Sequence, residues 1–260
     1  MSECKSGQDN MNARVLSVYD EGAIENTPYI GAKGFAVLVE VDGQRTLFDV
    51  GMRGRYLLHN LDFLEIKPET IDRVVISHNH RPNIGALSKL IESRTEPLDI
   101  FVNTSFQSVK RMFGRPFFSE EIAPKANIRV MEGNTKFSDH LMAVGPFGDL
   151  QEFSLVLDSL NGPVVISSCY HCGVRPVLTE VYSVTGKEPC HLIGGLHIMR
   201  ARQKNVDPTA EVIKDFGSPH MTMGHCADEG AKTYLRVRFN IKGVDDFYVG
   251  TSVDLKVRER

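Results

Sequence analysis

No run of apolar residues in this 260-residue sequence approaches the ~18 that a membrane-spanning helix needs. Residues 1–12 (MSECKSGQDNMN) lack the apolar stretch of a secretory signal and read as a frayed polar tail. There is no low-complexity stretch and no repeat of 20–50 residues, which excludes a solenoid. No basic stripe stands out either. Thirty Lys and Arg are mixed with 33 Asp and Glu, for a net charge of −3, so nucleic acid is not the expected partner. Tryptophan is absent, which by itself excludes nothing. The five cysteines (Cys4, Cys169, Cys172, Cys190 and Cys226) are an odd number and no disulfide framework. They point to a reducing compartment, and a cytoplasmic location is the expectation.

What is present is an alternation of strand-like and helix-like segments. Residues 14–19 (RVLSVY) open a strand, and 35–41 and 46–50 flank Asp42-Gly43, a strong hairpin signal. Residues 56–64 read as a helix. The β-branched run 73–77 (RVVIS) suits a buried strand. A helix is expected at 84–92 with Asn83 as its N-cap. Strand 99–102, helix 105–113 and strand 128–131 follow. The stretch 136–168 is β-rich. The last third alternates again: helix 174–184, strand 190–193, helix 208–216, strand 221–223, helix 229–239 and a final strand 246–249. The class is α/β. Hairpins interleaved with helices in two successive halves suggest two sheets packed face to face with helices outside. No linker divides the halves, so residues 14–260 are read as one domain.

Nine histidines are unevenly placed. His78 and His80 follow strand 73–77 directly, and side chains at i and i+2 of an extended segment project to one side, where one metal ion can take both. The bland alternative is a solvated pair at a strand mouth. His171, His197 and His225 repeat the pattern: an extended run, a small residue, then a histidine within a few positions. Strand ends on one edge of an open sheet converge on a common crevice, which argues for a shared metal site. His59, His140, His191 and His220 show no such placement and read as ordinary structural residues. Cys169 and Cys172 form a Cys-x-x-Cys outside any thioredoxin-like context, so the spacing is read as incidental. Cys226, beside His225, remains a candidate soft ligand that with histidine would suit zinc or iron.

The order Leu47-Phe48-Asp49-Val50-Gly51, Ser77-His78-Asn79-His80, Cys169-Tyr170-His171 and His225 resembles the metallo-β-lactamase fold superfamily. Ala32-Lys33-Gly34-Phe35, Gly194-Gly195-x-His197 and His225-Cys226 resemble its dihydropterin synthase-like branch in particular. The resemblance implies a four-layer αββα sandwich with a metal site at the edge of the two sheets. It implies His78, His80 and His171 as the ligands of the first metal and His225 as a ligand of the second. It places Asp49 close to the metal loop, holding a ligand histidine in its tautomer by hydrogen bonding.

The sequence departs from that family at its loop, whose usual form is His-x-His-x-Asp-His. Here the run is His78-Asn79-His80-Arg81-Pro82-Asn83, so Pro82 stands where the aspartate belongs and Asn83 where the last histidine belongs. Proline ligates nothing, and an amide oxygen is a poor substitute for imidazole on zinc. One ion is therefore expected, zinc with iron as the alternative. Arg81 is a candidate for pairing with an anionic ligand beside that ion. Gly195 allows a ligand to approach backbone closely, and His197 is a candidate contact to a substrate's polar group. Arg200 and Arg202 follow in a loop that reads first as solvated and basic, with contact to an anionic tail as the alternative. The expected function is metal-dependent chemistry on a small anionic substrate, of the pterin class by resemblance. The alternative is a catalytically degenerate member that binds a ligand, a protein partner or a second copy of itself. A β-lactamase or RNA-processing nuclease ranks last, because both need the dinuclear loop.

Overall fold

The computed structural model of the chain describes residues 10–108, 111–112, 115–198, 203–239 and 243–259. Cys4, Arg200 and Arg202 lie outside the described residues. In chain order the first half gives β1 (Asn10–Tyr19), β2 (Ala36–Val41), β3 (Gln44–Phe48), α1 (Gly54–Phe63), β4 (Arg73–Val75), α2 (Arg81–Ile84), α3 (Leu87–Glu92) and β5 (Leu98–Asn103). A small ribbon, β6 (Arg111–Met112) with β7 (Arg115–Pro116), leads to β8 (Ala126–Met131), β9 (Thr135–Lys136) and β10 (Leu141–Phe147). The second half gives β11 (Glu152–Ser159), β12 (Gly162–Ser167), α4 (Val174–Thr185), β13 (His191–Gly194), α5 (Gln203–Asp215), β14 (His220–Met223), α6 (Glu229–Phe239), β15 (Val244–Asp246) and β16 (Ser252–Arg258).

The strands form two seven-stranded sheets, ordered β16-β1-β2-β3-β4-β5-β8 and β15-β14-β13-β12-β11-β10-β9. Their facing sides share a core that includes Phe35, Phe48, Val75, Phe153, Leu155, Ile166 and Ile193, all 0–1% exposed. A second core packs α1 and α3 on the outside of the first sheet through Leu57, Leu61, Leu87 and Leu90. A third packs α4, α5 and α6 on the outside of the second through Val177, Leu178, Ile213 and Leu235. Three apolar layers between four layers of elements make an αββα sandwich. Burying each large side chain contributes about 1.5–3 kcal/mol, which the amphipathic helices and the two-faced sheets can realise only in this stacking.

Several elements differ from the sequence expectation. β1 starts at Asn10 rather than at residue 14, because residues 10–13 pair antiparallel with residues 255–258. The stretch read as the end of a frayed tail is thus held by a strand 240 residues away, β16, which was not expected at all. The helix expected at 105–113 is a single 3₁₀ turn, Thr104–Ser108, followed by the small ribbon. The helix expected at 84–92 is broken into α2 and α3, with Asn83 inside α2 rather than capping it. Among the described residues no helix is long and apolar enough to cross a membrane.

The topology puts one edge of both sheets at the same place. β12, β13 and β14 run parallel with Ser167, Gly194 and Met223 in register, so the three loops that follow leave together. β3 and β4 also run parallel, pairing Phe48 with Val75, and send out the Asp49 turn and the Ser77-His78 loop. The backbone N–H of Phe153 donates to the Ser77 carbonyl (2.9 Å) and ties the two sheets together at that edge.

Candidate metal centre

The metal loop leaves β4 at Ile76 and turns into α2 with Pro82 in its first turn, where a missing N–H costs nothing. The preceding turn of the chain is pressed against it. Phe35 N–H donates to the Pro82 carbonyl (3.3 Å), and a Cβ on Gly34, at φ +135°, would stand 2.4 Å from that oxygen. Only glycine fits there.

His78, His80 and His171 meet at this edge, from the loops after β4 and β12. His78 Nε2 lies 3.1 Å from His80 Nδ1 and 3.1 Å from His171 Nε2. Tetrahedral zinc with Zn–N bonds of ~2.0–2.1 Å separates its nitrogens by ~3.3 Å, so the spacing of these donors fits one such ion. His78 is fully buried, His171 half-buried and His80 exposed, so the cluster opens to solvent on one side. Burial first, and then the mutual repulsion of the rings, pushes His78 down to about 2 and His171 down to about 4, and lowers His80 as well. All three rings are neutral at pH 7, the state a metal requires.

Beneath the triad lies a chain of hydrogen bonds. Ser77 Oγ donates to Asp49 Oδ2 (2.6 Å) and stands 2.8 Å from His78 Nδ1 and 2.9 Å from Ser168 Oγ. With its one proton given to the carboxylate, Ser77 Oγ accepts from His78 Nδ1–H, which leaves Nε2 bare and facing the other two histidines. Asp49 also accepts from Ser77 N–H (2.8 Å) and from Asn83 Nδ2 (2.7 Å). Burial raises its carboxyl to about 6 against those hydrogen bonds. Asp49 is fully buried, so it reaches the triad only through Ser77, and Asn83 turns inward to it.

Glu152, at the start of β11, went unnoticed in the sequence. Its buried carboxylate accepts from the backbone N–H of Tyr170 (3.1 Å) and of His171 (2.7 Å), fixing the loop that carries the third histidine. One oxygen is 3.9 Å from His78 Nδ1. Burial raises Glu152 to about 7. No local sequence signal marks it, because its partners lie 18 and 19 positions downstream.

His225, the expected ligand of a second ion, belongs to neither group of converging donors among the described residues. Its Nδ1 is 3.1 Å from Glu21 Oε1 and its Nε2 3.1 Å from Cys226 Sγ. Burial opposes a charge on this ring, but the bonds to Cys226 and Glu21 outweigh it and raise His225 to about 10. Its backbone N–H donates to the buried Asp20 (2.8 Å). His197 is exposed, its ring centroid 4.3 Å from that of His171. Gly195 is buried between loops, and a Cβ there would stand 2.2 Å from both the His225 and the Ser168 carbonyl oxygens. It packs the strand-end loops together. Arg81 is exposed directly after His80. The remaining histidines hold structure: His59 to the Pro28 carbonyl, His140 to Asp42, His191 to Thr222 and His220 to Asp245.

The family model of the metallo-beta-lactamase superfamily matches residues 30–149, the stretch that carries Asp49 and the His78–Asn83 loop. The chain has the metallo-β-lactamase fold. Its relatives include the 7,8-dihydropterin-6-methyl-4-(beta-D-ribofuranosyl)-aminobenzene-5'-phosphate synthase of Methanocaldococcus jannaschii, 21% identical over 88% of this chain and 92% of that one. Among solved structures, the metallo-β-lactamase fold is shared with a metal-dependent hydrolase of the beta-lactamase superfamily (TM-score 0.75, 20% identity, 95% of this chain and 100% of that one). It is shared also with the fold protein YhfI of Bacillus subtilis (TM-score 0.69, 12% identity, 94% and 100%). The fold implies metal binding, and the clustered strand-end histidines are the candidate ligands.

Proposed function

We propose that the protein is a metal-dependent enzyme whose ion is held by His78, His80 and His171 and whose substrate is a small anion. The observation that carries this reading is the convergence of three ring nitrogens at an edge open to solvent, with His78 Nε2 3.1 Å from each of the other two and all three within 4.8 Å of one another. A divalent ion with three imidazole ligands and an open position supplies a Lewis acid and lowers the pKa of bound water. The chain's own residues do the rest. Asp49, through Ser77, holds His78 with its Nε2 free, and Glu152 holds the His171 loop. Arg81, beside His80, offers a guanidinium to an anionic group of the substrate. A pterin-class substrate is suggested by the Methanocaldococcus jannaschii relative, a dihydropterin synthase by name.

One observation favours a second reading, a binding protein without catalysis. The loop brings no carboxylate to the open side: Pro82 replaces the expected aspartate, and Asp49 is buried beneath the triad. Purification without a metal-affinity tag followed by metal analysis tests the site. Bound zinc or iron that falls by one equivalent in His171→Ala supports it, and unchanged occupancy removes His171 from the ligand set. Turnover of reduced pterin phosphates by the loaded protein separates enzyme from binder, since the second reading expects saturable binding with no product.

A further inference from the structure

Beside the histidine triad is a second group of donors that the resemblance does not account for. Cys169, His197 and Cys226 come from the three loops that leave β12, β13 and β14, and one donor atom from each lies within 4.8 Å of the other two. The two sulfurs are 3.5 Å apart and are free thiols, not a disulfide. Tetrahedral zinc with Zn–S bonds of ~2.3 Å would hold two sulfurs ~3.8 Å apart, so this spacing also fits one ion. The cluster repeats the layout of its neighbour: Cys169 is buried, Cys226 half-buried and His197 exposed, just as His78, His171 and His80 are. The two groups adjoin, with the His171 and His197 rings 4.3 Å apart at their centroids.

The backbone is arranged for this convergence. His197 and Cys226 both sit in the left-handed region, at φ +52° and +57°, where residues with a Cβ are uncommon. Such conformations are strained and persist where the surroundings over-determine them. Gly195 lets the His197 loop pass between the Ser168 and His225 carbonyls. His225 in turn braces Cys226, its Nε2 3.1 Å from the sulfur and its other nitrogen on Glu21, the kind of outer hydrogen bond that orients a ligand.

We infer that Cys169, His197 and Cys226 form a second, thiolate-rich metal site next to the histidine site, in place of the second ion that Pro82 and Asn83 cannot ligate. Its donor set, two soft sulfurs and an imidazole with an open fourth position, selects zinc or another thiophilic ion such as Fe(II) over magnesium or calcium. The centre then holds two ions of unequal character, one on nitrogen only and one mainly on sulfur. The cysteine site stands on its own donors and does not require the histidine reading to be correct.

Cobalt(II) loading of the full chain, kept reduced, tests the site by metal count, by sulfur-to-cobalt charge-transfer absorption and by thiol protection. The expected result is two equivalents in the unaltered protein, a thiolate band, and two fewer alkylatable thiols than in the metal-free protein. His171→Ala should lose one equivalent and keep the band. Cys226→Ser should lose one equivalent and the band. His197→Ala, at an exposed position and so the safer variant for folding, should weaken the second equivalent by at least about tenfold while the first stays bound. A single equivalent without thiolate absorption overturns the proposal, as does a band that survives intact in both Cys226→Ser and His197→Ala. Should His171→Ala leave the count at two with the band unchanged, the histidine site fails and the cysteine site stands.

Discussion

Asn83 donates from Nδ2 to Asp49 Oδ2 across 2.7 Å. The residue at the place of an expected ligand histidine is therefore engaged beneath the triad, where it holds the carboxylate that orients His78 through Ser77. Asn83 thus supports the triad from beneath rather than joining it.

Replacing Asn83 with Ala should cost about 1–3 kcal/mol, the price of leaving a buried carboxylate short of one donor. Urea unfolding checks it. A change smaller than ~0.5 kcal/mol would show that the bond contributes nothing to stability.

Ser77→Ala removes the single atom that joins Asp49 to His78 Nδ1. Metal affinity at the histidine site should fall by roughly 10–100-fold with the fold intact, as is usual when a ligand's outer hydrogen bond is lost. Chelator competition measures it, and an unchanged affinity would dismiss the relay.

Gly195→Ala should destabilise the chain by about 1–3 kcal/mol or more. The added Cβ meets two backbone oxygens at 2.2 Å, and backbone cannot step aside as a side-chain tip can. Amide hydrogen exchange should rise first in the loops after β12 and β14. A variant with the stability of the parent would mean that these loops are not tightly packed.

His191 gives the pH dependence. Burial, then the neighbouring His220 ring, lowers it to about 4, below the ~6.5 of an unfolded histidine. Between those values the unfolded chain binds the proton and the folded chain does not, so stability is full above pH ~6.5 and declines as pH falls towards 4. Fully expressed, that difference corresponds to roughly 3 kcal/mol of stability. In His191→Asn the difference in stability between pH 7 and pH 4.5 should shrink by about 2 kcal/mol. Identical pH profiles for the two proteins would contradict the lowered value.

The two-sheet architecture and the histidines at four strand ends were legible because they rest on local patterns. β-branched runs mark buried strands, and a small residue followed by histidine marks where each run stops. The breaks were not legible. The 84–92 helix splits where the Ala86 N–H leaves the helical ladder and donates to the Gly51 carbonyl (3.0 Å), a bond between residues far apart in the chain. The strand Ser252–Arg258 went unseen because its exposed polar alternation becomes a strand only when residues 10–16 pair with it.

The sequence by itself determined which residues could serve as ligands and that the loop after His80 lacks its aspartate and last histidine. Only the tertiary structure decided which donors meet. His78, His80 and His171 converge because parallel strands of both sheets end at one edge. His225 turns to Glu21 and Cys226, and Cys169, His197 and Cys226 gather beside the triad. Ligand chemistry is a property of side chains and is written in the sequence, whereas ligation depends on distances between loops up to 93 residues apart, which exist only once the sheets have packed.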